Sequence, residues 1–284
     1  MASAPLSPHG DGDCVSFPGT LRSFDRHLAV LGRADRTRAK YRYELTRWWC
    51  DYLYDRDLCL CQVRSTHVDE YLAPFRAKQG GKFGDAARAI KAYFRFAAGD
   101  RLADPSRHVK IPRPRLAPAP RLPEGDLRDL LRAAFAREDR RGWAIMLCYA
   151  TGSRVGAFAA VRREDVDFEG GRIWFLEAKG GTAYWVPLGR KGRAAAVHLV
   201  ALGLPTLVGV GPAQFRNWVH AAEQDAGLPR VWPHLLRHTF ATRVAHASAD
   251  PDVVRRLMNW KDLSQWPRYV GADAERMREA ADGA

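Results

Sequence analysis

Six side chains in the second half of the sequence have types that suit work on a phosphodiester: Arg154, Lys179, His234, Arg237, Trp260 and Tyr269. Two guanidinium groups can grip both non-bridging oxygens and stabilise the extra charge of a pentacoordinate phosphorane. A tyrosine hydroxyl is a competent nucleophile and leaves a phosphotyrosyl link. Histidine can take or return the tyrosine proton. A lysine at the tip of a hairpin can protonate a departing 5′ oxygen, and an indole N–H can donate to a phosphate oxygen. The sequence offers no acidic triad for Mg²⁺, and two arginines make a metal redundant, so no metal or cofactor is expected.

Taken singly, each of these residues has an ordinary explanation. An arginine after a helix is usually at the surface, and a tyrosine near a C-terminus usually packs. A histidine is structural far more often than catalytic. In HLLRHTFATR, residues 234–243, His234 and Arg237 share a helical turn inside an otherwise apolar helix. Leu235, Leu236, Phe240 and Val244 are available for its core side. His238 is assigned mainly to structural hydrogen bonding, with a bridge to the site as its lesser role.

The bulk composition narrows the partner. Lys plus Arg is 45 against Asp plus Glu 32, a net charge of +13. That excess favours a polyanion, nucleic acid first, because each phosphate contact releases counterions. An anionic membrane surface fits less well, since the basic residues are evenly spread and no basic amphipathic helix ends the chain. No apolar run is long enough to span a bilayer, and the N-terminus lacks the order of a signal peptide. A cytoplasmic location, nucleoid-associated when bound to DNA, is expected. Cysteines at 14, 50, 59, 61 and 148 form no CxxC pair and suggest neither a disulfide framework nor a zinc site. They are expected to be reduced.

The elements that must position the six residues are mostly helices. Residues 1–17 read as a disordered tail. Residues 18–100 read as four helices, with stripes at Leu21, Phe24, Leu28 and Leu31; Tyr41, Leu45, Trp49 and Tyr52; Val68, Tyr71, Leu72 and Phe75; and Ile90, Phe94 and Ala97. Thr37 is a candidate cap, and QGGKFGD a loop before a fourth helix from Asp85. Arg88, Lys91 and Arg95 share the polar face of that helix and could track phosphates. Residues 101–122 form a basic, proline-rich linker that includes Lys110 and Arg113. From Pro123, EGDLRDLLRAAFA and RGWAIMLCYATG are helical. DVDF, RIWFLEA and AYWVPL make a small antiparallel sheet separated by glycine turns. The chain is helical again after Gly203.

In order and spacing together, the chain from about 18 to 275 resembles the tyrosine recombinase (phage integrase) family. The first arginine box is ATGSRVGAFAAVRREDVDF with Arg154. The hairpin lysine is Lys179 in EAKGGTAYWVPL, and the second box is PHLLRHTFATRVA with His234 and Arg237. Trp260 in RRLMNW and Tyr269 in SQWPRYVG complete the set, nine residues apart. The resemblance implies a mainly α fold with a small sheet: a four-helix, SAM-like core-binding domain over 18–100 and a catalytic domain over 123–284 that ends in an exchange helix. It implies a clamp on double-stranded DNA and site-specific recombination through a 3′-phosphotyrosyl intermediate, without metal or ATP, by four protomers on two DNA sites. The alternatives are a type IB topoisomerase-like nicking-closing enzyme and a DNA-binding relative that has lost catalysis. The departures from the family pattern are Ala157 for the usual Glu, Met258-Asn259-Trp260 for Leu-Gly-His, and Ser248 where a glycine commonly ends the second-box helix. Glu164 or Asp165 could take over from the missing carboxylate.

Overall fold

The structure is a computed structural model that describes residues 17–77, 82–97, 104–111, 117–176, 183–248, 250–270 and 282. The expected N-terminal tail, the hairpin tip with Lys179, Arg113 and nearly all of the expected exchange helix lie outside the described residues. The chain divides into two compact units, residues 1–114 and 115–284.

In the first unit, α1 (Phe17–Val30), α2 (Asp35–Trp48), α3 (Ser65–Ala77) and α4 (Lys82–Ala97) enclose an aromatic core. Trp48 lies at its centre, edge-on to Phe94 with ring centroids 5.5 Å apart, and Phe24 meets Tyr93 in the same way. Burying each such side chain contributes about 1.5–3 kcal/mol. The apolar stripes are largely as expected, with two differences. Leu31 is exposed, because α1 ends before it. Trp48, one helical turn after Leu45, is buried more deeply than Trp49, the first residue of a π turn, Trp49–Leu53. A π turn inserts one residue into the helical period, and this places the adjacent Tyr52 and Leu53 both in the core.

Two helix starts also differ. Thr37 is not a cap, since α2 begins at Asp35, whose carboxylate suits the positive N-terminal end of the helix dipole and pairs with Arg38. Helix α4 begins at Lys82, and Asp85 sits in its first turn, paired with Lys40 and Arg88 at 2.7 Å each.

Part of the stretch read as a linker is folded onto α4. Lys91 Nζ donates to the carbonyls of Ser106, Arg107 and Val109 at 2.9, 3.1 and 2.9 Å. Ser106 and Val109 are buried. The expected phosphate-tracking role of Lys91 is corrected accordingly: an ammonium has three protons, and three carbonyls take them. Arg95 and Lys110 are exposed, and Arg88 is exposed beside Asp85. Cys50, Cys61 and Cys148 are free thiols, whereas Cys59 is disulfide-bonded, contrary to the uniformly reduced set expected. Scattered, odd-numbered cysteines give no pairing signal in sequence.

In the second unit, α5 (Glu124–Phe135) and α6 (Arg140–Thr151) pack against each other, and the short α7 (Val155–Ala160) leads into the sheet. Strands β1 (Val166–Asp167), β2 (Arg172–Leu176) and β3 (Ala183–Pro187) are antiparallel in the order β1-β2-β3. Ile173, Phe175, Tyr184 and Val186 face the core, while Trp174 and Trp185 pair on the outer face. Helix α8 (Arg190–Ala201) follows, so the helical run resumes before Gly203, where it was expected only after it. Then come α9 (Pro212–Asp225), α10 (Pro233–Ala247), α11 (Pro251–Leu257) and α12 (Pro267–Val270). The mainly helical fold with one small antiparallel sheet is the fold class expected. Among the described residues, no helix is long and apolar enough to cross a membrane.

Lys91→Met, which keeps the apolar stem and removes the ammonium, is expected to lower the unfolding free energy by about 1–3 kcal/mol through the orphaned carbonyls. Arg88→Ala, at an exposed pair, is expected to change it by under about 0.5 kcal/mol. Urea unfolding followed by tryptophan fluorescence compares the two.

Candidate active site

The site is organised by α10. This helix is enclosed on most of its surface: Leu235, Leu236, Ala241 and Ala245 are buried, and so are Arg237, His238, Thr239 and Thr242. Phe240 and Val244, expected on the core side, are only half-buried. The buried hydroxyls are satisfied along the helix, Thr239 Oγ1 donating to Leu235 O and Thr242 Oγ1 to His238 O, both at 2.9 Å. Thr239 Oγ1 also accepts the amide of Leu122, which ties the start of this unit to α10. The helix ends at Ser248 in extended conformation (φ −114°, ψ 128°). No left-handed residue is needed there, which accounts for a serine where the family commonly has glycine.

Arg237 is 3% exposed, and its guanidinium donates to Gly152 O at 2.7 Å and Met258 O at 2.5 Å. Gly152 closes α6 in the left-handed region at φ 56°, where a Cβ would collide with the Phe240 ring. Met258 closes α11. One cation therefore sits at two helix C-termini, where the macrodipoles favour positive charge. Beyond Gly152, Thr151 and Ser153 join their buried hydroxyls at 3.0 Å. That turn delivers Arg154, half-buried, as the cap of α7.

Helix α11 ends in a Schellman motif. The amide of Trp260 bonds Arg255 O at 2.9 Å and that of Asn259 bonds Arg256 O at 3.0 Å, with Asn259 at φ 44°. Asparagine tolerates this region, which explains Asn where the family has Gly. The motif turns the Trp260 ring onto Tyr269, centroids 4.9 Å apart and stacked. Tyr269 is 5% exposed, held on α12. Arg268 fixes that helix: its Nε donates to Ala117 O and its carbonyl accepts from Ala119 N at 2.8 Å.

The Tyr269 hydroxyl is 2.8 Å from Nδ1 of His238, not of His234. His238 is 5% exposed and its ring lies 4.5 Å from that of His234, which is exposed at the rim. Burial, aided by His234, Arg268 and Arg237, lowers the His238 pKa to about 4. Burial pushes the Tyr269 phenol above its ordinary range, against the pull of Arg237, Arg268 and Arg154. His234 is shifted down by loss of solvent and then by the same three arginines. The phenol and both imidazoles thus sit in one field of fixed positive charge.

Of the six residues singled out in the sequence, the structure brings Arg154, His234, Arg237, Trp260 and Tyr269 into this cluster; Lys179 lies outside the described residues, between β2 and β3. Ala157 is buried, and the suggested stand-ins are engaged elsewhere. Asp165 accepts the Arg162 amide, and Glu164 pairs with Arg162 at 3.6 Å. Sequence reasoning missed Arg268, and it named hydrogen bonding for His238 without identifying Tyr269 as the partner. The signal for Arg268 was a basic residue directly before the tyrosine. Among the described residues, no group of three or more His, Cys, Asp or Glu side chains could hold a metal ion.

Residues 211–276 match the family model described as the phage integrase family. The tyrosine recombinase XerC of Mycobacterium leprae is 30% identical over 293 residues, covering 93% of this chain and 98% of the relative. The chain belongs to the tyrosine recombinase family. The tyrosine recombinase XerD of Mycobacterium tuberculosis is 27% identical over 305 residues, covering 93% of this chain and 96% of that one. In fold, the chain is similar to a lambda integrase dimer bound to a COC′ core site (TM-score 0.72, 18% identity, 91% of this chain and 78% of that chain). It is also similar to XerH bound to its difH substrate in a pre-cleavage complex (TM-score 0.70, 18% identity, 94% and 84%). Membership makes the protein a DNA strand-transferring enzyme, a site-specific recombinase.

Gly152→Ala is expected to lower stability by about 1–3 kcal/mol through its positive φ and the Phe240 clash. It should also lower recombination more than a distant variant of equal stability loss, because the carbonyl that anchors Arg237 moves. Thermal melts and a recombination assay run on both variants check this.

Proposed function

We propose that this recombinase cuts and rejoins double-stranded DNA with Tyr269 as nucleophile. Its phenolic oxygen attacks the scissile phosphate, the P–O5′ bond breaks, and a 3′-phosphotyrosyl link and a free 5′-hydroxyl result. Arg154 and Arg237 hold the non-bridging oxygens and stabilise the charge that grows on them. His234 and the Trp260 indole donate to the same phosphate, and Lys179 protonates the leaving 5′ oxygen. A 5′-hydroxyl from the partner duplex then reverses the reaction on a new strand. Ester energy is conserved in the link, so no nucleotide is consumed.

The observation that carries this reading is geometric: Tyr269, stacked on Trp260, hydrogen-bonds to α10 one residue from the buried Arg237 and one turn from His234. Four protomers acting on two DNA sites satisfy the stoichiometry of two exchanged duplexes, in keeping with the lambda integrase tetramer bound to a Holliday junction among the similar folds. Residues 18–100 serve as the core DNA-binding domain and 123–284 as the catalytic domain. Arg88, Arg95, Lys110 and Arg113 follow the phosphate backbone without reading bases. The enzyme works in the cytoplasm, associated with the nucleoid while bound.

Nicked suicide duplexes with a randomised core, captured through a covalent protein–DNA adduct, provide the test. The wild type is expected to yield an adduct on Tyr269, and Y269F none. R154A and R237A should each slow adduct formation by about 10²–10³-fold. An adduct that persists in Y269F, or that maps to another residue, contradicts the assignment.

A further inference from the structure

Two histidines project from α10 one turn apart, and only the one without an assigned role reaches the nucleophile. Nδ1 of His238 is 2.8 Å from the Tyr269 hydroxyl, within the range a general base needs. The ring of His234 is exposed, packed edge-on against that of His238 rather than against the phenol. The Trp260 ring stacked on Tyr269 holds the phenol in this position, and a base enclosed with its acid in this way is shielded from competing water.

We propose that His238 is the base that takes the Tyr269 proton on cleavage and returns it on ligation, leaving His234 to the phosphate. In the forward step the Tyr269 O–P bond forms, the phenolic proton passes to Nδ1 of His238, and the P–O5′ bond breaks. The 5′ oxygen leaves with a proton from a separate donor, Lys179 in the assignment above. In the return step a 5′-hydroxyl attacks the phosphotyrosyl phosphorus and gives its proton to the now neutral Lys179, the Tyr269 O–P bond breaks, and the imidazolium returns its proton to the phenolic oxygen. This deepens the proposed function and rests on Tyr269 being the nucleophile.

The surroundings explain how such a base is held ready. The groups that act on His238 are His234 and Arg237 on its own helix and Arg268 on α12; its pKa of about 4 reflects burial first and these charges second. Tyr269, also on α12, faces it directly, and Trp260, beyond α11, lies behind the phenol. The imidazole is therefore neutral and able to accept a proton. A scissile phosphate entering among these cations brings negative charge, which opposes the second cause and makes His238 more basic when substrate is bound. The active form is the neutral one, so cleavage should rise with pH through the His238 pKa in the complex, at a midpoint above about 4, and then level off.

Single-turnover adduct formation from pH 4 to 9, on a suicide duplex the wild type cleaves, tests the proposal. H238N keeps an acceptor near the Nδ1 position without a basic nitrogen. It is expected to cleave about 100-fold more slowly at pH 7, and its rate should keep climbing with pH where the wild type levels off. A substrate with a bridging 5′ sulfur, whose leaving group needs no proton, should not rescue it. H234Q should be slower but keep the wild-type profile shape. A rate for H238N within threefold of wild type, a loss that is the same at every pH, or rescue by the sulfur leaving group would each overturn the proposal. Band-shift binding of the same duplex shows whether H238N is folded. If it is not, the wild-type profile decides, a rate that does not vary with pH telling against His238. Failure of the Tyr269 reading looks different: Y269F then still forms the adduct, whatever H238N does.

Discussion

A single buried guanidinium organises the second unit. Arg237 is almost fully enclosed, and a charge taken out of water is tolerable only with close partners. Its partners include two carbonyls, Gly152 O and Met258 O, at the C-terminal ends of α6 and α11. Each helix end carries a partial negative charge, and each such contact is worth about 0.3–2 kcal/mol, more when dry than when exposed. The geometry of both ends is thereby linked. The left-handed turn at Gly152 presents one carbonyl and, two residues on, sends out Arg154. The Schellman turn at Asn259 presents the other and, one residue on, sends out Trp260. Arg237 therefore sets the positions of two further site residues besides its own.

The electrostatics run in one direction. Arg154, Arg237 and Arg268 all act on His234 and Tyr269, and those same causes favour a deprotonated phenol while burial opposes it. The cluster lowers two imidazoles and holds positive charge in a partly dry site. Such a site is incomplete without an anion. A phosphodiester supplies one charge at a fixed point, and its arrival strengthens every interaction the arginines make there. In the proposed mechanism, binding and activation of the nucleophile are in this way parts of one event, and the enclosed Tyr269–His238 pair reacts only once the phosphate is in place.

Much of this was legible in the sequence. That Arg154, His234, Arg237, Trp260 and Tyr269 lie together was expected from type, order and spacing, and the helical and strand periods placed most elements. What was not legible depended on contacts between distant parts of the chain. Lys91 has the pattern of a solvated basic face, and only the fold shows segment 104–109 closing over it. The π turn after Trp48 shifts the apolar stripe by one, a change that periodicity averages away. The hydrogen-bond partner of His238 could not be read from the sequence because it lies 31 residues further along the chain. Asn259 is a different case: a residue tolerant of positive φ at a helix end was a readable sign that the Leu-Gly-His turn survives in altered letters.

The central claim is that these dispersed side chains converge on one backbone ester with the phenol of Tyr269 in line. A structure of the protein on a cleavable duplex, with the reaction stopped by a vanadate in place of the scissile phosphate, tests it most directly. The account predicts the vanadium bonded to Tyr269 Oη, its equatorial oxygens contacted by Arg154 and Arg237, and the departing 5′ oxygen opposite the tyrosine. A vanadate bound away from Tyr269, or one contacted by neither guanidinium, would contradict it.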